Sequence, residues 1–123
     1  MRVLIADDDR EMAEVLKAYV EECGHEVIGP VTGGGLAVIQ AFARFQPDVV
    51  LLDIMMPRFN GLTVCHALLS RKPDAKIIFV SGSLDGNHPF VSGAGASAYL
   101  QKPVNPVALR EALEALSTGP AVA

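Results

Sequence analysis

The sequence predicts a doubly wound α/β domain: a five-stranded parallel sheet with helices on both faces. Three observations carry this expectation. Short apolar runs alternate five times with segments of helical apolar spacing, the pattern of successive β–α units. The run Val49-Val50-Leu51-Leu52 is apolar without alternation, as in a strand covered on both faces. The runs stop abruptly at polar residues, at Asp7-Asp8-Asp9, Asp53, Ser81 and Lys102. Right-handed crossovers restrict the strand orders available, and the order 2-1-3-4-5, common at this size, is the one expected here.

Each element has its own signal. Residues 2–6 form a β-branched and aliphatic run that ends at the acidic cluster. Met12, Val15, Leu16, Tyr19, Val20 and Cys23 then recur at helical spacing, with Asp9 or a neighbour as cap and Gly24 at the end. Glu26-Val27-Ile28 reads as the second strand, and Gly33-Gly34-Gly35 as a turn. A second helix is expected over 36–45, stopping before Pro47. The third strand ends at Asp53, after which Pro57 and Gly61 break the chain. Leu62, Cys65, Leu68 and Leu69 mark a third helix that stops near Pro73. Lys76 to Val80 is the fourth strand and Ala98-Tyr99-Leu100 the fifth. Asn105-Pro106 is a helix start, with Asn as cap and Pro in the first turn, and Leu109, Ala112, Leu113 and Leu116 give the last helix its stripe. Residues 84–95 are ambiguous. Gly86 and Gly93 disfavour a helix interior, so any helix there is expected to start near His88 or Pro89 and to run one or two turns.

Composition narrows the function classes. The chain has 123 residues, half of them hydrophobic, enough for one cored domain. Residues 1–117 are expected to form it and 118–123 a flexible C-terminal tail; no repeat, linker or second domain is legible. The net charge of −4 argues against direct nucleic-acid binding, which needs a basic patch. No apolar run reaches a membrane span, and the apolar start is too short for a signal peptide, so the expected location is cytoplasmic. Cys23 and Cys65 lack zinc or redox spacing and read as small hydrophobes.

The chemistry is expected where the strands end. Asp7-Asp8, Asp53, Ser81 and Lys102 close strands 1, 3, 4 and 5, and in a parallel sheet those ends share one edge, where ligands bind. Taken singly each has an ordinary reading: a helix cap, a turn residue before Pro57, a Ser-Gly turn, a solvated edge lysine. Together they gather three carboxylates, a hydroxyl and an ammonium. Such a cluster wants a hard divalent cation, and Mg2+ suits few carboxylates, a carbonyl and several waters. Asp53 can then act as an oxygen nucleophile toward phosphorus, with Lys102 and Ser81 on the phosphoryl oxygens. There is no Gly-x-x-x-x-Gly-Lys-Ser/Thr loop, and Gly33-Gly34-Gly35 lacks the spaced dinucleotide fingerprint. A haloacid-dehalogenase-like phosphatase needs a second acid where Met55 stands.

The motifs Val3-Leu4-Ile5-Ala6-Asp7-Asp8-Asp9, Asp53-Ile54-Met55-Met56-Pro57 with Gly61, Ser81-Gly82, Gly95-Ala96 and Tyr99-Leu100-Gln101-Lys102-Pro103 resemble those of response-regulator receiver domains. The resemblance covers essentially the whole chain. It implies a flavodoxin-like receiver fold with five helices, the fourth short or irregular here. It implies Asp53 as phosphoacceptor, Asp8 as direct metal ligand, Asp7 acting mainly through water, and the Met55 backbone carbonyl as a third protein ligand. Ser81 becomes the switch hydroxyl and Tyr99 the switch aromatic, and the Lys102–Pro103 peptide is expected to be cis. Departures from the pattern are Gly33 and Gly35, which allow a late second helix, and a Ser81–Lys102 stretch one residue shorter than usual.

The function implied is a phosphorelay receiver, charged by a histidine kinase or histidine phosphotransfer protein, that switches conformation to control a partner. It is no enzyme in the conventional sense, but it catalyses its own phosphoryl transfer and dephosphorylation. The alternatives are a receiver-fold interaction module independent of phosphorylation, or the receiver segment of a hybrid histidine kinase. Met1 directly before the first strand favours a natural start. The kinase, the target and the pathway are not legible.

Overall fold

The computed structural model describes residues 1–31, 34–54, 61–82 and 95–117. Within them the chain runs β1 (Arg2–Ala6), α1 (Arg10–Glu22), β2 (Glu26–Val31), α2 (Gly35–Phe45), β3 (Val49–Asp53), α3 (Gly61–Arg71), β4 (Lys76–Ser81), β5 (Ala98–Gln101) and α4 (Pro106–Ser117). All strand pairings are parallel, in the expected order β2-β1-β3-β4-β5. The short helix expected within 84–95 and the tail 118–123 lie outside the described residues, save Gly95 at the edge of the former. No helix among the described residues is long and apolar enough to cross a membrane.

β3 explains the architecture. Every residue from Val49 to Asp53 is buried, because β1 and β4 flank the strand and helices cover both its faces. Alternation along the strands splits the core in two. Leu4, Val50, Leu52, Ile77 and Phe79 pack on the α2–α3 side with Val38, Val64 and Leu68. Val3, Ile5, Leu51, Ile78 and Val80 pack on the α1–α4 side with Leu16, Val20, Leu109 and Leu113.

The helix ends follow the sequence signals. Asp9 caps α1, its Oδ1 accepting the Met12 N–H at 3.2 Å, and Gly24 at φ 86° closes the helix. Asn105 caps α4, with Oδ1 accepting the N–H groups of Val107 at 2.8 Å and Ala108 at 3.3 Å. Lys76, the first residue of β4, donates from Nζ to the Leu116 carbonyl at 2.9 Å and satisfies the other end of α4.

Three details depart from the expectations. Val15 is 41% exposed, whereas Ala13 is buried. The α1 stripe centres on Leu16, from which Val15 is turned by about 100°. The second strand does not stop at Ile28 but continues through Gly29 and Pro30 to Val31. It is an edge strand, where a missing proline N–H is tolerated, and Gly29 at φ 95° sits in the register shift that sets Leu4 against Ile28 but Ala6 against Val31. The second helix is not late; it begins at Gly35 on Gly34 as cap.

Asn105→Ala is expected to lower unfolding stability by about 1 kcal/mol through loss of the cap. Leu51→Ala, which opens a hole in the centre of the sheet, is expected to cost about 3–5 kcal/mol. Urea denaturation of the two variants against the parent measures both, and the order Leu51 above Asn105 is the decisive outcome.

Candidate functional site at the carboxyl edge of the sheet

Parallel pairing sets the carboxyl ends of the strands along one edge, and each delivers a different group there. β1 passes directly into Asp7 and Asp8, β3 ends on Asp53, β4 on Ser81, and β5 leads into Lys102. Among the described residues the buried polar ones are Asp7, Asp53 and Ser81, at 1%, 4% and 1% exposure, all three at this edge. Burial of this kind is costly without charge compensation, so the geometry around them matters.

One carboxylate oxygen from each of Asp7, Asp8 and Asp53 lies within 4.8 Å of the others. At that spacing each pair of like charges repels by about 3.5 kcal/mol or more in surroundings of effective dielectric ~20. The Lys102 ammonium offsets part of it. Its Nζ is 2.9 Å from Asp7 Oδ2 and 3.4 Å from Asp53 Oδ2. Partial burial pulls the Lys102 pKa down, but the attraction of Asp7 and Asp53 outweighs this and holds it above the ordinary lysine value. Asp7 is fixed from its other oxygen, since Oδ1 accepts the Asp9 N–H at 2.9 Å. Asp7 Oδ2 is fully buried, and among the described residues its partner is Lys102, held as an ion pair.

On the neighbouring strands, the Ser81 carbonyl accepts two bonds, from the Tyr99 hydroxyl at 3.1 Å and the Lys102 backbone N–H at 3.0 Å. Tyr99 is half-buried against the α2–α3 core. The Lys102–Pro103 peptide is cis. Of the residues singled out from sequence, Asp7, Asp8, Asp53 and Lys102 thus form one cluster, with Ser81 and Tyr99 beside it. Met55 lies outside the described residues.

The response regulator receiver domain family matches residues 3–114. This chain belongs to that family. Among its relatives, the chemotaxis protein CheY of Thermotoga maritima is 37% identical over 119 residues, covering 94% of this chain and 97% of the relative. Response regulator MprA of Mycobacterium leprae is 38% identical over 84% of this chain, which spans only 45% of that longer protein. The receiver domain of the Francisella response regulator 1452 superposes with a TM-score of 0.83 at 26% identity, over 95% of this chain and 96% of that one.

The receiver's acidic edge fits a hard divalent cation on its own geometry. Among the described residues, three carboxylates against one ammonium leave an excess of negative charge, and the fully buried Asp7 Oδ2 has no donor there beyond its ion pair with Lys102. The cavity of about 310 Å3 lined by Phe42, Ala43, Gln46, Pro47, Arg71 and Lys72 is at the opposite edge, where β3 and β4 begin, and has no part in this chemistry. Cys65 has none either: it is buried in the α2–α3 core, and burial pushes its thiol up to about 11.

The sequence sets Lys102 against the phosphoryl group, and the resemblance has Asp7 act on the metal mainly through water. The direct Asp7–Lys102 pair was not legible, because nothing in the spacing of residues 7 and 102 distinguishes 2.9 Å from a longer separation.

Lys102→Met tests the electrostatics. With chelator present, the variant is expected to lose roughly 1–3 kcal/mol at pH 7, less than the ~3–5 for breaking a fully buried pair because solvent reaches the ammonium. The raised Lys102 pKa fixes the pH window: the stabilisation is complete below the pKa of an unfolded lysine and fades only as the pH rises through the folded value. The deficit in the variant should therefore persist from neutral pH to about pH 9 and shrink above about pH 10. Denaturant titration across that range reads both features.

Proposed function

We propose that this receiver accepts a phosphoryl group on Asp53 from the phosphohistidine of a histidine kinase or histidine phosphotransfer protein, and that the modification switches its contact with a protein partner in the cytoplasm. The observation that carries the reading is the convergence of three carboxylates at the strand ends, two of them paired with one ammonium, with Asp53 Oδ2 3.4 Å from Lys102 Nζ. Membership of the family supports the same reading.

A magnesium ion held by Asp8, Asp53 and the Met55 carbonyl, with Asp7 acting through water, would supply charge neutralisation on the phosphoryl oxygens. The chain's own residues do the rest. An Asp53 carboxylate oxygen attacks phosphorus as the P–N bond of the phosphohistidine breaks. The imidazole leaves with that electron pair and a proton from solvent, and Asp53 becomes an acyl phosphate. Lys102 is within reach of the oxygens where negative charge gathers, and positioning with charge stabilisation is most of what phosphoryl transfer requires. Hydrolysis reverses the modification: water attacks phosphorus, the bond to Asp53 breaks, and inorganic phosphate leaves.

Switching follows from the adjacent strand ends. The phosphoryl group gives the Ser81 hydroxyl a new acceptor. Drawing that hydroxyl toward Asp53 biases the packing of β4 against β5, where the Tyr99 hydroxyl rests on the Ser81 carbonyl. Two arrangements of Tyr99 then differ in stability according to the state of Asp53.

Intact mass after incubation with acetyl phosphate and magnesium is expected to rise by one phosphoryl group, and Asp53→Asn to abolish the rise; equal labelling of the variant would overturn the assignment of the acceptor. Ser81→Ala is expected to leave the mass change in place while removing the NMR shift of Tyr99 that accompanies it in the parent. An unmoved Tyr99 in the phosphorylated parent would count against the switch.

A further inference from the structure

The first residue of α3 is pressed against the backbone of the acceptor. A Cβ built on Gly61 would lie 2.4 Å from the Asp53 carbonyl oxygen, 2.5 Å from the Ile54 Cα and 3.0 Å from the Ile54 carbonyl oxygen. The Gly61 N–H donates to that Ile54 carbonyl at 2.7 Å, so the two ends of the segment 55–60 are fastened to each other. Among the described residues the positive-φ glycines are Gly24, Gly29, Gly34 and Gly95, and Gly61 is not one of them. Its requirement is therefore space alone: α3 approaches β3 more closely than any side chain permits.

Neither body can back away. Val64, Cys65 and Leu68 fix α3 in the core with no exposed surface, and β3 is buried between β1 and β4. Ordinary contact begins at 3.4 Å, so relieving the contact at 2.4 Å needs a movement of about 1 Å, and the atoms in the way are backbone. That movement falls where the two touch, at the backbone of Asp53 and Ile54.

Resting on the reading of Asp53 as acceptor, we propose that Gly61 is a positioning residue for phosphoryl transfer: its missing side chain and its N–H clasp on Ile54 hold the end of β3 where the Asp53 carboxylate meets Asp7, Asp8 and Lys102. It touches no reacting atom. It sets the orientation of the strand end from which the acceptor projects, and it ties Ile54 to the start of α3. Misplacing a reacting group by ~1 Å can cost ~10²-fold in rate even when the fold survives.

The test uses the whole chain with Gly61→Ala and a control, Leu68→Ala, which opens the α3 core away from the clasp. Both are expected to melt cooperatively at lower temperature. Gly61→Ala should shift the Asp53 and Ile54 amide resonances without metal, weaken magnesium binding by about tenfold in an NMR titration with no phosphodonor, and slow acetyl phosphate labelling by tenfold or more. Leu68→Ala should keep magnesium binding and labelling within about twofold of the parent once corrected for folded fraction. Parent-like magnesium binding and labelling in Gly61→Ala, or equal losses in Leu68→Ala, would overturn the proposal. If Gly61→Ala does not fold, amide exchange in the parent decides: the Gly61 N–H should be protected as strongly as the α3 interior, and fast exchange there would remove the clasp. Failure of the parent to label at Asp53 would instead strike the acceptor assignment and leave the metal and exchange measurements to judge the clasp.

Discussion

Asp7 and Asp53 are carboxylates with almost no exposed surface, and one ammonium reaches both. The rest of the edge is arranged around that constraint. Repulsion within the Asp7, Asp8 and Asp53 group favours anything that brings positive charge, and Lys102 supplies one unit from a flexible stem. A lysine is suited to this position because it is a compact charge that can pivot from one oxygen to another without matching a fixed fork. The pairing also explains why Asp7, which stands off the acceptor strand, is buried as deeply as Asp53.

Charge alone does not assemble the cluster; the sheet does. Parallel strands of similar length, covered on both faces, must end along the same line, and the groups that follow them are neighbours whatever their separation in sequence. Residues 7, 53, 81 and 102 meet for this reason. The cost falls on the core, which has to sheathe β3 completely. Two sets of apolar side chains, one for each pair of helices, do so.

This is also why most of the fold was legible in the sequence. The unbroken apolar run of β3, the Asn105-Pro106 start and the Asp9 cap are local signals, and each describes a local structure. What local signals miss is what depends on a neighbour. The strand legible in the sequence covers only Glu26-Val27-Ile28, yet β2 continues through Gly29 and Pro30 because an edge position forgives a lost donor and a register shift absorbs the extra residue. Val15 fits a helical stripe by spacing but lies beside the buried arc. At the site, the identities of the charged residues were legible because strand ends are legible. The Asp7–Lys102 contact and the closeness of Gly61 to Asp53 were not, since both are distances across the fold between segments that sequence spacing does not relate.

The two cores never share a side chain, because the sheet lies between them. Asp53 is in register with Val80, a member of the α1–α4 core, whereas Ser81 follows Val80 and so faces the other side. Heritable variation can therefore act on the molecule in halves. One pair of helices can be remodelled for a new recognition surface while the other keeps its packing, provided the sheet edge is left alone.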